Sequence, residues 1–232
     1  MISAKNLTKV YNGTTVLNIP DINISKGESF GLVGNNGAGK TTFFRLILDL
    51  IRPQTGIVTS KEINVAGHEE WKNYTGSYLD RNFLIDYLTP EEYFDFNGRI
   101  HGLSQEDIRQ FLESMKEFFN DEVLGKKKFI RDLSRGNQQK IGAASALMAD
   151  PEVLILDEPF NSLDPSSQIR LKNMLNNLKK EKQVTMLISS HDLNHVTEVC
   201  DRIAILEKGI IVKDIHTTER TLEELESYFA VS

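Results

Sequence analysis

Gly34-Asn35-Asn36-Gly37-Ala38-Gly39-Lys40-Thr41-Thr42 fits a phosphate-cradling pattern: Gly, four free positions, then Gly-Lys-Ser/Thr. The flanks suit it. Ser29-Phe30-Gly31-Leu32-Val33 before it reads as a buried strand, and Thr42-Phe43-Phe44-Arg45-Leu46-Ile47-Leu48 after it as an amphipathic helix. Gly34, Gly37 and Gly39 are expected to take the positive φ values that turn successive N–H groups towards phosphate oxygens. The helix starting near Lys40 adds its partly positive end at the same place. Lys40 reaches the β- and γ-phosphates, and the Thr41 hydroxyl is placed to ligate Mg²⁺. A nucleotide phosphate site is predicted; the loop by itself does not select the base.

Further along, Val153-Leu154-Ile155-Leu156-Asp157-Glu158-Pro159 is an apolar strand ending in two acids. A buried strand delivers such residues to the open edge of its sheet, where ligands bind. Asp157 is the candidate to hold Mg²⁺ against the phosphates, and Glu158 the candidate to activate the attacking water. His191 follows the strand ending Ile188-Ser189-Ser190 and reaches the same edge, within range of a γ-phosphate. His191-Asp192-Leu193-Asn194-His195 imitates a two-histidine zinc helix. Asp192 reads instead as an N-cap. The two histidines then do not share one helix face, and no third ligand follows.

The rest of the chain supplies the fold. Asn12-Gly13 is a hairpin turn between Leu7–Tyr11 and Thr14–Leu17. Ile57-Val58-Thr59 and Ile63-Asn64-Val65 read as a second hairpin in the same antiparallel β region. From Thr89 the pattern becomes helical. Thr89-Pro90-Glu91-Glu92 and Ser104-Gln105-Glu106-Asp107 are helix starts, and Ile108, Phe111, Leu112, Met115 and Phe118 fall on one face. The aromatics Phe83, Tyr87, Tyr93, Phe94, Phe96, Phe111, Phe118 and Phe119 crowd here, as a small core or as a docking groove for a partner helix. Lys126-Lys127-Lys128 reads as a solvated loop.

From Gln138 helix and strand alternate: a helix to Ala149, a strand at 153–156, a helix at 165–180, a strand at 184–188, a helix at 192–200, strands at 202–206 and 210–212. Thr221 starts a last helix, with Glu224 completing a capping box. Such alternation predicts an α/β fold with a mainly parallel sheet covered on both faces. The expected organisation is one domain over 1–232: a β region at about 1–28 and 55–75, a helical region at about 88–135, and an α/β core elsewhere.

Composition sets outer bounds. The 232 residues suffice for one substantial core, and 40% hydrophobic with 26% charged residues is ordinary for a globular chain. A formal net charge of −6 argues against a general nucleic-acid surface. No apolar run approaches the roughly 18 residues of a membrane span, and no signal-peptide profile opens the chain. The single Cys200 excludes an internal disulfide and suits a reducing compartment.

Leu133-Ser134-Arg135-Gly136-Asn137-Gln138-Gln139-Lys140 resembles the Leu-Ser-Gly-Gly-Gln signature of the nucleotide-binding subunits of ABC transporters, and the resemblance covers essentially the whole chain. Ser134 and Gly136 match, while Arg135 and Asn137 depart. The resemblance implies an ATPase that binds ATP and Mg²⁺ and pairs head to tail with a second such subunit. Ser134 and Gly136 then close on ATP held by the partner, with Arg135 either near that γ-phosphate or turned to solvent. Tyr11 matches the aromatic that stacks on adenine, with Val16 beside it. Asp164, in Asn161-Ser162-Leu163-Asp164, matches the anchor of the loop joining the two sites. Asp80, in Gly76-Ser77-Tyr78-Leu79-Asp80, stands where the family carries a Gln or Glu that touches Mg²⁺.

The expected function is that of an ATP-hydrolysing subunit driving a separate membrane permease, attached to the cytoplasmic face through it. Tyr87-Leu88-Thr89 and the segment ending at Asp80 are most similar to bacitracin- and lantibiotic-type export ATPases. The rival is a related ATPase acting mechanically on a non-transport complex. A guanine-reading Asn-Lys-x-Asp motif is absent from the sequence, which weighs against a GTPase.

Overall fold

The structure, a computed structural model, describes residues 1–231. Among them the strands form two sheets, one wholly antiparallel and one mainly parallel. The antiparallel sheet begins with β1 (Ile2–Tyr11) and β2 (Thr14–Ile24), joined at Asn12-Gly13, both in the left-handed region that the tight turn requires. β4 (Thr55–Ser60) pairs with β1, and the short β5 (Ile63–Asn64) with β4, so both expected hairpins form.

Between them, β3 (Ser29–Val33) enters the second sheet and α1 (Lys40–Ile47) follows the phosphate loop. That sheet also contains β6 (Thr75–Tyr78), β7 (Val153–Leu156), β8 (Thr185–Ser190), β9 (Arg202–Glu207) and β10 (Ile210–His216). Its order is β10-β9-β3-β8-β7-β6, parallel except for β10. The alternation of each strand divides the core. Val153, Ile155, Phe30 and Leu32 pack with Phe43 and Phe44 of α1 against the antiparallel sheet. Leu154, Leu156, Met186 and Ile188 pack on the opposite face. Burial on both faces explains why these strands are continuous apolar runs.

The helices of that opposite face are α5 (Arg135–Ser145), α6 (Pro165–Asn177), α7 (Leu193–Val199) and α8 (Thr221–Val231). α5 starts earlier than Gln138, because the Ser134 hydroxyl accepts the Asn137 N–H at 3.2 Å and caps the helix there. It stops at Ser145, short of Ala149, and the chain passes through a left-handed Asp150 (φ 50°) into Pro151. α6 ends at Asn177 and widens into one looser helical turn over 178–182. Thr221 opens α8 without the expected capping box: its hydroxyl accepts the Thr218 N–H at 2.7 Å, and Glu224 donates its N–H to Arg220 O.

The helical region contains α2 (Pro90–Ile100), α3 (Gln105–Ser114) and α4 (Lys116–Phe119). Both helices begin at the expected starts, and there Thr89 with Glu92 and Ser104 with Asp107 form reciprocal capping boxes. The expected apolar face is split by a break at Met115, after which Phe118 and Phe119 are buried on the separate turn α4. The aromatics divide as well. Tyr93, Phe94, Phe118 and Phe119 are core, whereas Tyr87 is 63% and Phe83 51% exposed. Lys126–Lys128 are exposed, as expected. Among the described residues no helix is long and apolar enough to cross a membrane.

Candidate functional site

Strand register brings the predicted groups together. Tyr78 lies opposite Leu156, Leu156 opposite Ile188, and Val33 opposite Ser190. The residues just beyond them, Asp80, Asp157, His191 and the loop from Gly34, therefore emerge along one C-terminal edge.

The phosphate loop is anchored from below. Gly37 (φ 84°) and Gly39 (φ 111°) take the left-handed backbone expected of them. Gly34 does not. Its requirement is space, because a Cβ there would stand 2.2 Å from the Leu206 carbonyl oxygen of β9. The β9–β10 turn seals the arrangement: the Gly209 N–H donates to Ala38 O at 2.8 Å, and Gly209 O accepts from Asn18 at 2.7 Å. The Val16 carbonyl lies 3.0 Å from where a Gly39 Cβ would be, so the first hairpin packs directly on the loop. Tyr11, at the hairpin tip, is half exposed under the Lys9 ammonium, 5.0 Å from the ring centre.

Two linked chains of polar contacts meet above the loop. In the first, the Thr41 hydroxyl donates to Asp157 Oδ2 at 2.5 Å, and the Ser189 hydroxyl donates to Asp157 Oδ1. Burial pushes the Asp157 carboxyl above its usual range, although both hydroxyls favour its charged form. In the second, Lys40 donates to Gly34 O at 2.6 Å and forms an ion pair with Glu158 Oε1 at 3.1 Å. Glu158 Oε2 lies 2.8 Å from His191 Nδ1. Glu158 is itself left-handed (φ 50°), uncommon for a residue with a side chain. Its N–H donates to Ser189 Oγ at 2.9 Å, which fixes that backbone and ties the two chains together.

Sequence reasoning missed Ser189. The available signal was a pair of hydroxyls closing an apolar strand, two residues before a singled-out histidine. It also missed Gln139, whose Nε2 donates to Glu158 O at 3.2 Å. The two histidines of the zinc-like pattern are engaged separately. His191 pairs with Glu158, and His195 stacks on Phe160 with ring centres 4.4 Å apart, its pKa lowered by burial. Asp192 caps α7, as its place predicts.

Asp80 borders the same cleft, of about 460 Å³, with Thr41, Arg45, Arg135, Gln139, Asp157 and Glu158. One Asp80 oxygen accepts the Asn82 N–H at 2.7 Å and the other lies 3.7 Å from Arg45. Arg135 is exposed at the rim of this cleft, turned to solvent as one of the two expected alternatives has it. Gly136 packs where a Cβ would come within 2.7 Å of the Ser162 carbonyl oxygen, so this glycine is set by close approach. Asp164 caps α6 and accepts from the Ser166 and Ser167 hydroxyls at 2.6 and 2.5 Å. Behind the signature segment, Lys140 is 1% exposed and pairs with Glu122 Oε2 at 2.8 Å, while the Glu122 carbonyl accepts from Asn137 at 3.3 Å.

A phosphate loop below, a buried acid with two hydroxyls above, and an acid–histidine pair beside them can bind a nucleoside triphosphate and activate water against it. Known proteins agree. The ABC transporter family matches residues 17–161. The bacitracin transport ATP-binding protein BcrA of Enterococcus faecalis is 34% identical over 94% of this chain and 70% of its own length. Its namesake from Bacillus licheniformis is 33% identical over 97% of this chain and 74% of its own. The dimeric structure of MJ0796, a bacterial ABC transporter cassette, superposes with a TM-score of 0.85 at 25% identity, covering 94% of this chain and 99% of that one. The chain therefore belongs to the ABC transporter family, as one of its ATP-binding, ATP-hydrolysing cassettes.

Proposed function

We propose that the chain drives a separate membrane permease in the outward direction, from its cytoplasmic face, as half of a head-to-tail ATPase dimer. The observation that carries this reading is the linked pair Thr41–Asp157–Ser189 and Lys40–Glu158–His191 at one sheet edge. Its likeness to bacitracin transport ATP-binding proteins supports transport and, by analogy with them, export.

The N–H groups of Gly34, Asn35, Asn36, Gly37, Ala38, Gly39, Lys40, Thr41 and Thr42 cradle the phosphates, and Lys40 leaves the Gly34 carbonyl for the β- and γ-oxygens. Tyr11 stacks on adenine beside Val16. Mg²⁺ fits the donor set, since hydroxyl and carboxylate oxygens of Thr41 and Asp157 already meet at 2.5 Å and Asp80 borders the same cleft. When bound, the ion supplies charge neutralisation at the phosphates. Glu158 orients the attacking water, and His191 fixes the Glu158 carboxylate and reaches the γ-phosphate. Ser134 and Gly136 meet the partner's ATP, and Asp164 anchors the loop between the two sites.

The whole chain works as one domain, the helical region α2–α4 passing dimer closure to the permease. Exposed Phe83 and Tyr87, at the edge of that region, suit a permease helix. Two experiments test the reading. Purification from native membranes is expected to carry an integral membrane protein with the chain; its absence refutes the transport role. Light scattering of Glu158→Gln is expected to show a dimer with Mg-ATP and a monomer without it, and a monomer in both refutes the shared-site arrangement.

A further inference from the structure

We propose that the loop over Lys126–Phe129 binds the anionic phospholipid headgroups of the bilayer that holds the permease, a lipid contact beside the protein one. Four cations and no acid occupy positions 123–131, although the whole chain carries a net charge of −6. Salt screens exposed charges more than about 10 Å away, so a membrane surface meets this run as a local positive patch.

The fold holds the run outward. Ile130 is buried in the core, while its neighbours Phe129 and Arg131 are both exposed. The Ile130 N–H donates to Leu88 O at 2.8 Å and the Arg131 N–H to Asp86 O at 3.0 Å, which lays the segment alongside exposed Tyr87. The Arg131 guanidinium stands 5.1 Å from the Phe129 ring centre. Upstream, Gly125 (φ 72°) and Lys127 (φ 51°) are left-handed, and Lys126, Lys127 and Lys128 all reach solvent. Among the described residues these three lysines make no hydrogen bond or ion pair. The Glu91 carboxylate that reaches the loop accepts the Gly125 N–H at 2.5 Å.

Shape and chemistry both select lipid for this loop. The neighbouring cleft, of about 480 Å³, is lined by Arg81, Asp86, Ile130 and Arg131, and the lysines stand outside it. That cleft, with Phe83 and Tyr87 in the chain around it, suits the permease helix. A membrane helix leaves the bilayer through the headgroups, so a loop beside its seat faces phosphates. Lysine ammoniums are mobile point charges that meet phosphates in any arrangement, which matches a fluid headgroup layer; a fixed anion site favours the planar fork of arginine. Phe129 among them adds apolar area that enters the acyl boundary.

The inference rests on the reading that turns this face towards a membrane, and the two fail separately. Absence of a co-purifying membrane protein refutes that reading, whereas lipid binding is measured on the purified chain with protein-free vesicles. In sedimentation at about 0.1 M salt, the chain is expected to partition about tenfold or more in favour of phosphatidylcholine vesicles containing about one-third phosphatidylglycerol over phosphatidylcholine alone. Each lysine is worth about fivefold near such a surface, so Lys126→Gln with Lys127→Gln and Lys128→Gln lowers the partition by about 10- to 100-fold. That triple variant keeps the native melting temperature and ATP turnover. Phe129→Ser lowers the partition by about three- to tenfold. Equal partition onto the two kinds of vesicle, or a triple variant within about twofold of native, overturns the proposal. Capture by polyglutamate without binding to the anionic vesicles also overturns it and assigns the loop to an acidic protein.

Discussion

Ser189→Ala removes the hydroxyl that joins the two halves of the site, and its cost follows from what is left behind. The hydroxyl donates to Asp157 Oδ1 and accepts the Glu158 N–H at 2.9 Å. Ser189 is fully buried and Asp157 only 5% exposed, so neither orphaned group gains free access to water. An unsatisfied buried group costs about 1–3 kcal/mol, more if it is charged. Two of them amount to roughly 2–6 kcal/mol. The Glu158 backbone, left-handed at φ 50°, also loses the bond that fixes it, at a site where such conformers cost about 1–3 kcal/mol to maintain. Urea unfolding followed by circular dichroism reads this directly. With a slope of about 3 kcal/mol per molar urea, the midpoint falls by roughly 0.7–2 M. Isothermal titration is expected to show weaker Mg-ATP affinity as well, because the Asp157 carboxyl loses the donor that holds it in place. A destabilisation below about 0.5 kcal/mol, with unaltered Mg-ATP affinity, refutes the bridging role; about 0.5 kcal/mol is what an unengaged surface change costs.

Glu122→Ala strands the buried Lys140 ammonium and is expected to cost about 1–3 kcal/mol, the half-exposed position of Glu122 softening the usual penalty; Lys140→Met, which replaces charge by an apolar chain of similar shape, stays within about 1 kcal/mol. Equal losses in denaturant would contradict a pair whose cost lies in the buried partner. The Cys200 thiol, pushed up to about 12 by burial, is expected to react with a disulfide reagent at pH 8 only as fast as the protein opens. Complete labelling within the mixing time would contradict that burial. Asp164→Asn keeps a capping acceptor but removes a carboxylate that the Ser166 and Ser167 hydroxyls hold well below its ordinary 3.8. A depressed folded value stabilises above the unfolded one, so native and variant differ in melting temperature by a constant amount from pH 7 to about pH 4. The difference narrows in more acid solution, and one that widens there contradicts the sign.

What the sequence by itself determined about this protein are the features that depend on neighbours along the chain. Asn12-Gly13 turns, Thr89 and Ser104 cap, and Gly37 and Gly39 bend the loop because backbone sterics and hydrogen bonds act over three or four residues. The apolar strands ending in Asp157 and before His191 were legible too, since a run buried on both faces ends where its sheet meets solvent. Tertiary structure alone decided the rest. Gly34 is a glycine because of Leu206, 172 positions away by their numbers in the chain, whose carbonyl takes the space of a Cβ. Ser189 joins Asp157 to Glu158 because β7 and β8 run parallel with Leu156 beside Ile188. Arg135 reads as a lapse in a glycine motif, and only the packing of α5, pinned by Gln139 and Gly136 to the 158–162 turn, sets it at the exposed rim of the cleft. The aromatics around Phe94 could be core or groove on pattern alone, because period shows which residues share a face and not which face another element covers. Contacts between distant segments follow from register and packing, and no local pattern of residues encodes either one.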